Sequence, residues 1–454
     1  MTEHAKPKNK GGFRLRTLIV GLFGGLFLLA FTPVAVFLVW ARMHSAEVDR
    51  LVAEIDKRGE PATIDQLVDR DHSEGSVDDV THLWIEGAAP LNTRQFRQEN
   101  LDIPIVGGDA SITIPPIEQP WPEQPRCEAF LETNRVSIDR FHEAARRGGY
   151  CRFPLDYHQG LELDLSHVQA ARAASRILHL ELEVALRRNE LERAARALET
   201  LYFVSCTCNR EPLVIPQLVA TAMDGVAKLA LAKHLCTTTW SDSTLTKIRE
   251  IIRRKNPAAD MRVGLIGQRA ILHSGMQDTS LIDGKWESQK ALPSDAACHL
   301  RYMNRYVAAM ELEFPAAIEE ANQIEAEVHA EVVNYWGMLT KKITAFNVPA
   351  TAALFETVAR TIATDRAADT GIAIELYRRE HGKLPETLEA LTPKYLPSVP
   401  LDPFTGKPMI YKVEDRGFTI YGLGKNKVDD GGRIDNKPGE DNRIRDEGLF
   451  FPLK

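Results

Sequence analysis

Apolar and polar positions divide the chain into one block with no polar face and a long body with a helical rhythm. From Thr17 to Ala41 the sequence runs TLIVGLFGGLFLLAFTPVAVFLVWA, 25 residues without a charge, where a helix needs about 20 to cross the hydrocarbon of a bilayer. A transmembrane helix is therefore predicted over 17–41. Gly21, Gly24, Gly25 and Pro33 would weaken it in water, but in lipid an unpaired backbone group costs more than the helix loses. Beyond Ala41, apolar residues recur at helical spacing as far as about residue 347, broken by Pro, Gly, Asn, Asp and Ser, with hardly any period-two run. The expected fold is mainly α: an N-terminal transmembrane helix, an extracytoplasmic antiparallel helical array and a small C-terminal α+β module.

Punctuation divides this plan further. Residues 1–16 form a basic tail, 17–41 the span, 42–99 membrane-proximal helices, 100–125 a proline-rich excursion, 126–347 a helical domain and 348–454 the C-terminal module. The first helix should continue outward through 47–58 until Gly59 and Pro61, and Thr63 caps a short helix after it. Pro104, Pro115, Pro116, Pro120, Pro122 and Pro125 exclude a regular helix in the excursion. Helices are then expected around 127–147, 163–188, 190–209 and 212–236, and their short links make neighbours antiparallel.

Charge gives the orientation. Lys6, Lys8, Lys10, Arg14 and Arg16 precede the span against a lone Glu3, whereas Arg42 and Arg50 mix with Glu47 and Asp49 after it. The tail should stay inside and the body lie outside the cytoplasmic membrane. Two other readings compete. One is a cleaved secretory signal ending at Ala41, although the run exceeds the roughly 7–15 residues of a signal core. The other is a prepilin leader cut after Gly12, where Arg14, Arg16 and Thr17 do not fit. A net charge of −7 with 44% hydrophobic and 26% charged residues describes an ordinary globular body with no basic field for nucleic acid.

Candidate chemistry is sparse. No His-Glu-x-x-His, Gly-x-Ser-x-Gly, phosphate loop or dinucleotide fingerprint is present. Cys206-x-Cys208 would face two ways on a helix and suits core packing better than a metal. Glu325 and His329 share a helical face, but seven glutamates between Glu311 and Glu331 mark that stretch as solvated. Of the six cysteines, Cys151 should lie near Cys206 and Cys208, the one disulfide that geometry favours. Buried free thiols are nevertheless the favoured reading, because cysteine is among the most buried residue types.

From Ala373 the pattern changes. A helix ends at Gly382 and Pro385, and β-type runs follow at 409–412 and 418–422. Asp402-Pro403-Phe404, Gly406-Lys-Pro-Met-Ile-Tyr411, Gly417-Phe-Thr-Ile-Tyr-Gly-Leu-Gly424, Asn426 and Asp429-Asp430-Gly431-Gly432 resemble the globular end of type II secretion major pseudopilins. The resemblance covers about a fifth of the chain and implies a long helix on a small antiparallel sheet. It also implies a calcium loop: Asp429 and Asp430 match most closely, Asn426, Asp435 and Asp441 offer further hard oxygens, and Leu423 a carbonyl. The helical body resembles uncharacterised helical proteins anchored in bacterial envelopes.

The expected function is a membrane-anchored extracytoplasmic scaffold or binding protein without evident catalytic activity, touching the lipid bilayer and other envelope proteins. A component of a secretion or pilus-like apparatus, or an extracytoplasmic metal-dependent hydrolase, are the alternatives.

Overall fold

A computed structural model of the chain describes residues 11–73, 79–107, 114–277, 291–434 and 446–453. Its first element, α1 (Gly11–Lys57), is one continuous helix of 47 residues with Pro33 inside it. Phe31, Val34, Val36, Phe37, Leu38 and Val39 stand exposed on it. Further along, Leu51 and Ile55 turn inward and are buried with Leu300. The second helix, α2 (Ile64–Ser73), opens on the expected cap: Gln66 N donates to Thr63 Oγ1 and Thr63 N donates to Gln66 Oε1, so two orphan amides are satisfied reciprocally.

The body continues as α3 (Thr81–Ala88), α4 (Arg94–Glu99), α5 (Gln124–Thr133), α6 (Arg135–Arg147), α7 (Ser166–Arg187), α8 (Leu191–Ser205), α9 (Val214–His234) and α10 (Asp242–Arg254). It is completed by α11 (Pro257–Gln277), α12 (Pro293–Ala309), α13 (Ala316–Val332), α14 (Tyr335–Thr340), α15 (Lys342–Asn347) and α16 (Ala352–His381). Among the described residues, strand pairing before α16 is limited to one bridge, Asp79 with Tyr150.

Two expected helices are shorter than their apolar spacing suggests, and side chains explain both. The helix over 127–147 breaks at Asn134, where Thr133 Oγ1 and Asn134 Nδ2 donate back to Ala129 O and Phe130 O. The helix over 190–209 stops at Ser205, because Ser205 and Thr207 hydroxyls take the carbonyls of Tyr202 and Val204. Such local bonds offer the backbone an alternative to the helix. Cys206 and Cys208 therefore lie in a turn.

The C-terminal sheet has three antiparallel strands, β1 (Ile410–Glu414), β2 (Gly417–Gly422) and β3 (Glu447–Pro452), in the order β1-β2-β3. Tyr411 pairs with Ile420, and Phe418 with Phe451. The sheet shares its core with the helices: Phe418, Ile420 and Phe451 join Ile372 and Ile374 of α16 and Leu198 and Leu201 of α8 in one apolar cluster that begins at Val80. A second cluster unites α11, α12, α13 and the start of α16. The proline-rich excursion lies on this frame, since Ile103, Val106 and Trp121 are buried and Arg187 of α7 donates to the carbonyls of Gln119 and Pro116. Helix α9 is long and apolar enough to cross a membrane. It is more than half buried, however, and holds Lys228 against Asp224 and Asp365 at 2.7 and 2.9 Å, the role of a core helix.

The turn leaving α1 is fastened to the body by a buried ion. Arg269 of α11 is fully buried and reaches Glu60 at 2.9 Å, Pro61 O at 3.3 Å and Asn304 of α12 at 3.0 Å. His299 Nε2 lies 3.2 Å from Arg269 O. Burial pushes His299 down to about 3 and, with the neighbouring Arg269 charge, His273 down to about 4.

Glu60→Ala leaves the Arg269 charge buried and uncompensated, and should cost about 3–5 kcal/mol in the denaturant-unfolding free energy of the body. The histidines set a pH dependence: both are neutral when folded and return to about 6.5 when unfolded, so the unfolded chain binds more protons on acidification. Stability is complete above pH 6.5 and drains away as the pH falls through about 4. A His273→Gln, His299→Gln variant should show a flatter dependence of its unfolding midpoint over that window.

Candidate functional site

Helices α7 and α8 form an antiparallel pair, and the corner where α8 turns into α9 comes back beside the start of α7. That turn is rigid by construction. Gln217 of α9 donates its amide to the carbonyls of Cys208, Asn209 and Glu211 at 3.1, 3.1 and 2.8 Å. Gly267 of α11 packs so closely beneath that a Cβ there would overlap Pro212 O, so only glycine lets α11 support the turn.

The corner gathers three donors of different chemistry. His167, from the first turn of α7, places Nε2 2.8 and 2.9 Å from the two carboxylate oxygens of Glu211. The Cys208 thiol joins them, and one ligand atom from each of the three lies within 4.8 Å of the others. Cys208 and Glu211 are buried, and Phe153 stacks on the His167 ring at 4.5 Å, which holds its orientation. A His nitrogen, a thiolate and a carboxylate make a ligand set suited to zinc or a similar divalent ion, with one position left for water or substrate. Calcium, which takes oxygens alone, does not suit it. With a metal these atoms are ligands; without one they form a buried histidine–glutamate bond tying α7 to the α8–α9 turn.

Burial pushes the Cys208 thiol well up, and the nearby Glu211 charge adds to the effect. An uncomplexed Cys208 is thus a protonated, unreactive thiol, and a metal would have to displace its proton. The Cys151 thiol is also pushed up, by burial first and then by the influence of Cys208, Asp79 and Glu211. All six cysteines are free thiols.

His167 also forms part of the wall of a cleft of about 400 Å³. Trp84, Ile85 and Ala88 of α3 and Phe153, Leu155 and Leu163 of the segment before α7 supply its apolar lining, with Asp156, Gln159 and Asp164 at its polar side. Its size and mixed lining are those of a small-molecule pocket. A larger cleft of about 1220 Å³ between α6, α8 and α10 is walled by Glu143, Arg146, Arg196, Glu199, Lys247 and Arg254 and brings together no metal-type donor set.

Of the expected calcium ligands, Asp435 and Asp441 lie outside the described residues. The others fold the loop after β2 around its own polar groups. Asp429 Oδ1 accepts from Tyr421 OH at 3.1 Å and Gly431 N at 2.8 Å. Asp430 Oδ2 accepts from Asn426 Nδ2, Asn426 Oδ1 from Val428 N, and Leu423 N donates to Asp402. Sequence reasoning missed the centre of this loop: buried Asp446, whose carboxylate accepts from Asp430 N and Gly432 N and whose pKa burial raises. Glu325 and His329 share α13, where His329 is exposed, and neither joins a cluster of three metal donors among the described residues.

No family model matches the chain, and no curated protein or solved structure matches it.

Cobalt(II) titration tests the corner. The wild type and Cys206→Ser should develop a thiolate-to-cobalt charge-transfer band with tetrahedral d–d absorption, and Cys208→Ser and His167→Ala should not. Persistence of the band in Cys208→Ser would mean that the sulfur ligand lies elsewhere.

Proposed function

We propose that this protein is a single-pass, envelope-anchored binding or scaffold protein. Its N-terminal tail stays inside, and its helical body lies outside the cytoplasmic membrane and engages other envelope components there. One observation carries the reading: α1 leads without a break from an uncharged stretch, exposed at Phe31 and 36–39, into a segment whose Leu51 and Ile55 are buried in the body. Exposed apolar side chains on one half of a helix and a fixed seat for the other half are what an anchor requires. The cleft beside His167 gives the body a place to bind a small ligand.

The second reading, a metal-dependent hydrolytic activity, is favoured specifically by the His167, Cys208 and Glu211 corner at the wall of that cleft. A metal held there supplies a Lewis acid and an activated water. His167, Cys208 and Glu211 would hold it, Phe153 and Gln217 would keep the ligands in place, and Trp84 and Leu155 would exclude bulk water from the bound molecule. The pseudopilin-like reading of the C-terminal part draws its support from the long α16 lying on a small antiparallel sheet, and a secretion or pilus-like apparatus is the partner class it would imply.

Fractionation tests the anchor. The protein should stay with membranes after carbonate washing, and a protease added outside spheroplasts should digest the body but not a tag placed before Lys6. Release by carbonate, or a body protected from outside protease, would overturn the proposal.

A further inference from the structure

The base of the body carries apolar side chains that nothing described covers. Helix α14 and the residue pair before it expose Val333, Tyr335, Trp336, Met338 and Leu339, with Tyr335 76% and Trp336 72% accessible. Gly337 explains why α14 sits there. Any Cβ at that position would lie 2.6 Å from Glu331 O and Val332 O, so its absence lets α14 fold tightly under the end of α13 and turn its large side chains outward.

The direction of the helices locates this patch. On α1 and α12 the contacts ascend together: Val48 packs against the cluster that holds Ala296, Leu51 and Ile55 share a cluster with Leu300, and Glu60 is joined through Arg269 to Asn304. The two helices are therefore parallel, and the start of α12 points toward the uncharged part of α1. Helix α13 runs the opposite way, since Arg305 pairs with Glu320 and Glu327 while Arg301, one turn earlier, pairs with Glu331. Its end is thus on the same side as the start of α12. Glu331 is bound in turn by Lys341 at 2.7 Å, and Arg301 bridges it to Glu47 of α1. Ser294 Oγ donates to Thr340 O at 3.0 Å and Val48 packs against the cluster that holds Ile343, which places the end of α14 near the level of Val48. Ala41, the last residue of the uncharged stretch, is seven residues back, about 10 Å along a helix.

We propose that α14 is a second, interfacial contact with the lipid bilayer. It rests on the anchored reading above: with α1 crossing the membrane, Tyr335, Trp336, Met338 and Leu339 meet the headgroup and upper acyl region beside the exit of α1. Tyr and Trp favour that layer because one part of each ring is apolar and another hydrogen-bonds, and a short apolar surface entering it adds binding without spanning. The body is then held at two points, which sets its tilt as well as its distance from the membrane.

Tryptophan quenching in reconstituted vesicles tests this with the intact protein. The vesicles contain phosphatidylcholine brominated high on the acyl chain, and iodide serves as the aqueous quencher. The difference between wild type and Trp336→Phe isolates Trp336, and that between wild type and Trp40→Phe isolates the anchor. Trp336 should lose at least about half of its emission to the brominated lipid and resist iodide, as an interfacial ring does. Trp336 open to iodide, or shielded from both quenchers by a bound protein, overturns the interfacial contact. If Trp40 is lipid-quenched in the same vesicles, the anchor survives that failure. If Trp40 escapes the lipid quencher, the anchored reading itself fails.

Discussion

The charge of Arg269, sealed inside the protein and answered by Glu60, is the constraint on which the rest is arranged. A guanidinium without water needs a carboxylate and further acceptors around it, and here they come from the turn after α1 and from α12. One side chain therefore decides that α1 leaves the body in a single direction. Together with the Leu51 and Ile55 seat and the Arg301 and Arg305 ion pairs, it sets which ends of α12 and α13 lie beside the uncharged stretch and which lie far from it. His273 and His299, kept neutral in the same interior, add no second charge to the one already buried.

The corner at His167 follows from a different rule, the antiparallel return of consecutive helices. When α8 comes back along α7, the residue that opens one helix meets the turn that closes the other. Gln217 and Gly267 then remove the freedom that such a turn would ordinarily have. The result is a rigid turn that carries a thiol and a carboxylate beside an oriented imidazole.

The legible parts of the chain were those whose signal is local. An uncharged run gave α1, the Thr63 and Gln66 pair gave the cap of α2, and the runs around Tyr411 and Tyr421 gave β1 and β2. The break at Asn134 was not legible, because apolar spacing continues across it and only the back-bonded side chains decide. His167 and Glu211 stand 44 residues apart, so no short motif could join them. The expected closeness of Cys151 to Cys206 and Cys208 is the one pointer to that corner, and apolar spacing hides Cys208 by carrying the helical pattern past Ser205, where α8 in fact ends. The exposure of Tyr335 and Trp336 was equally hidden, since nothing in their spacing distinguishes an outward aromatic from a core one.

The shared core of sheet and helices bears on how the chain matures. Phe451 packs on Gly371 and Phe418 within the cluster that also holds Leu198 and Leu201, so contacts far apart in sequence must form before that interior is dry. Such topologies close slowly and late. A chain delivered from its N-terminal side would keep the inner faces of α8 and α9 wet until β3 arrived. Through that interval it would need a holding factor, or enough solubility of its own to wait.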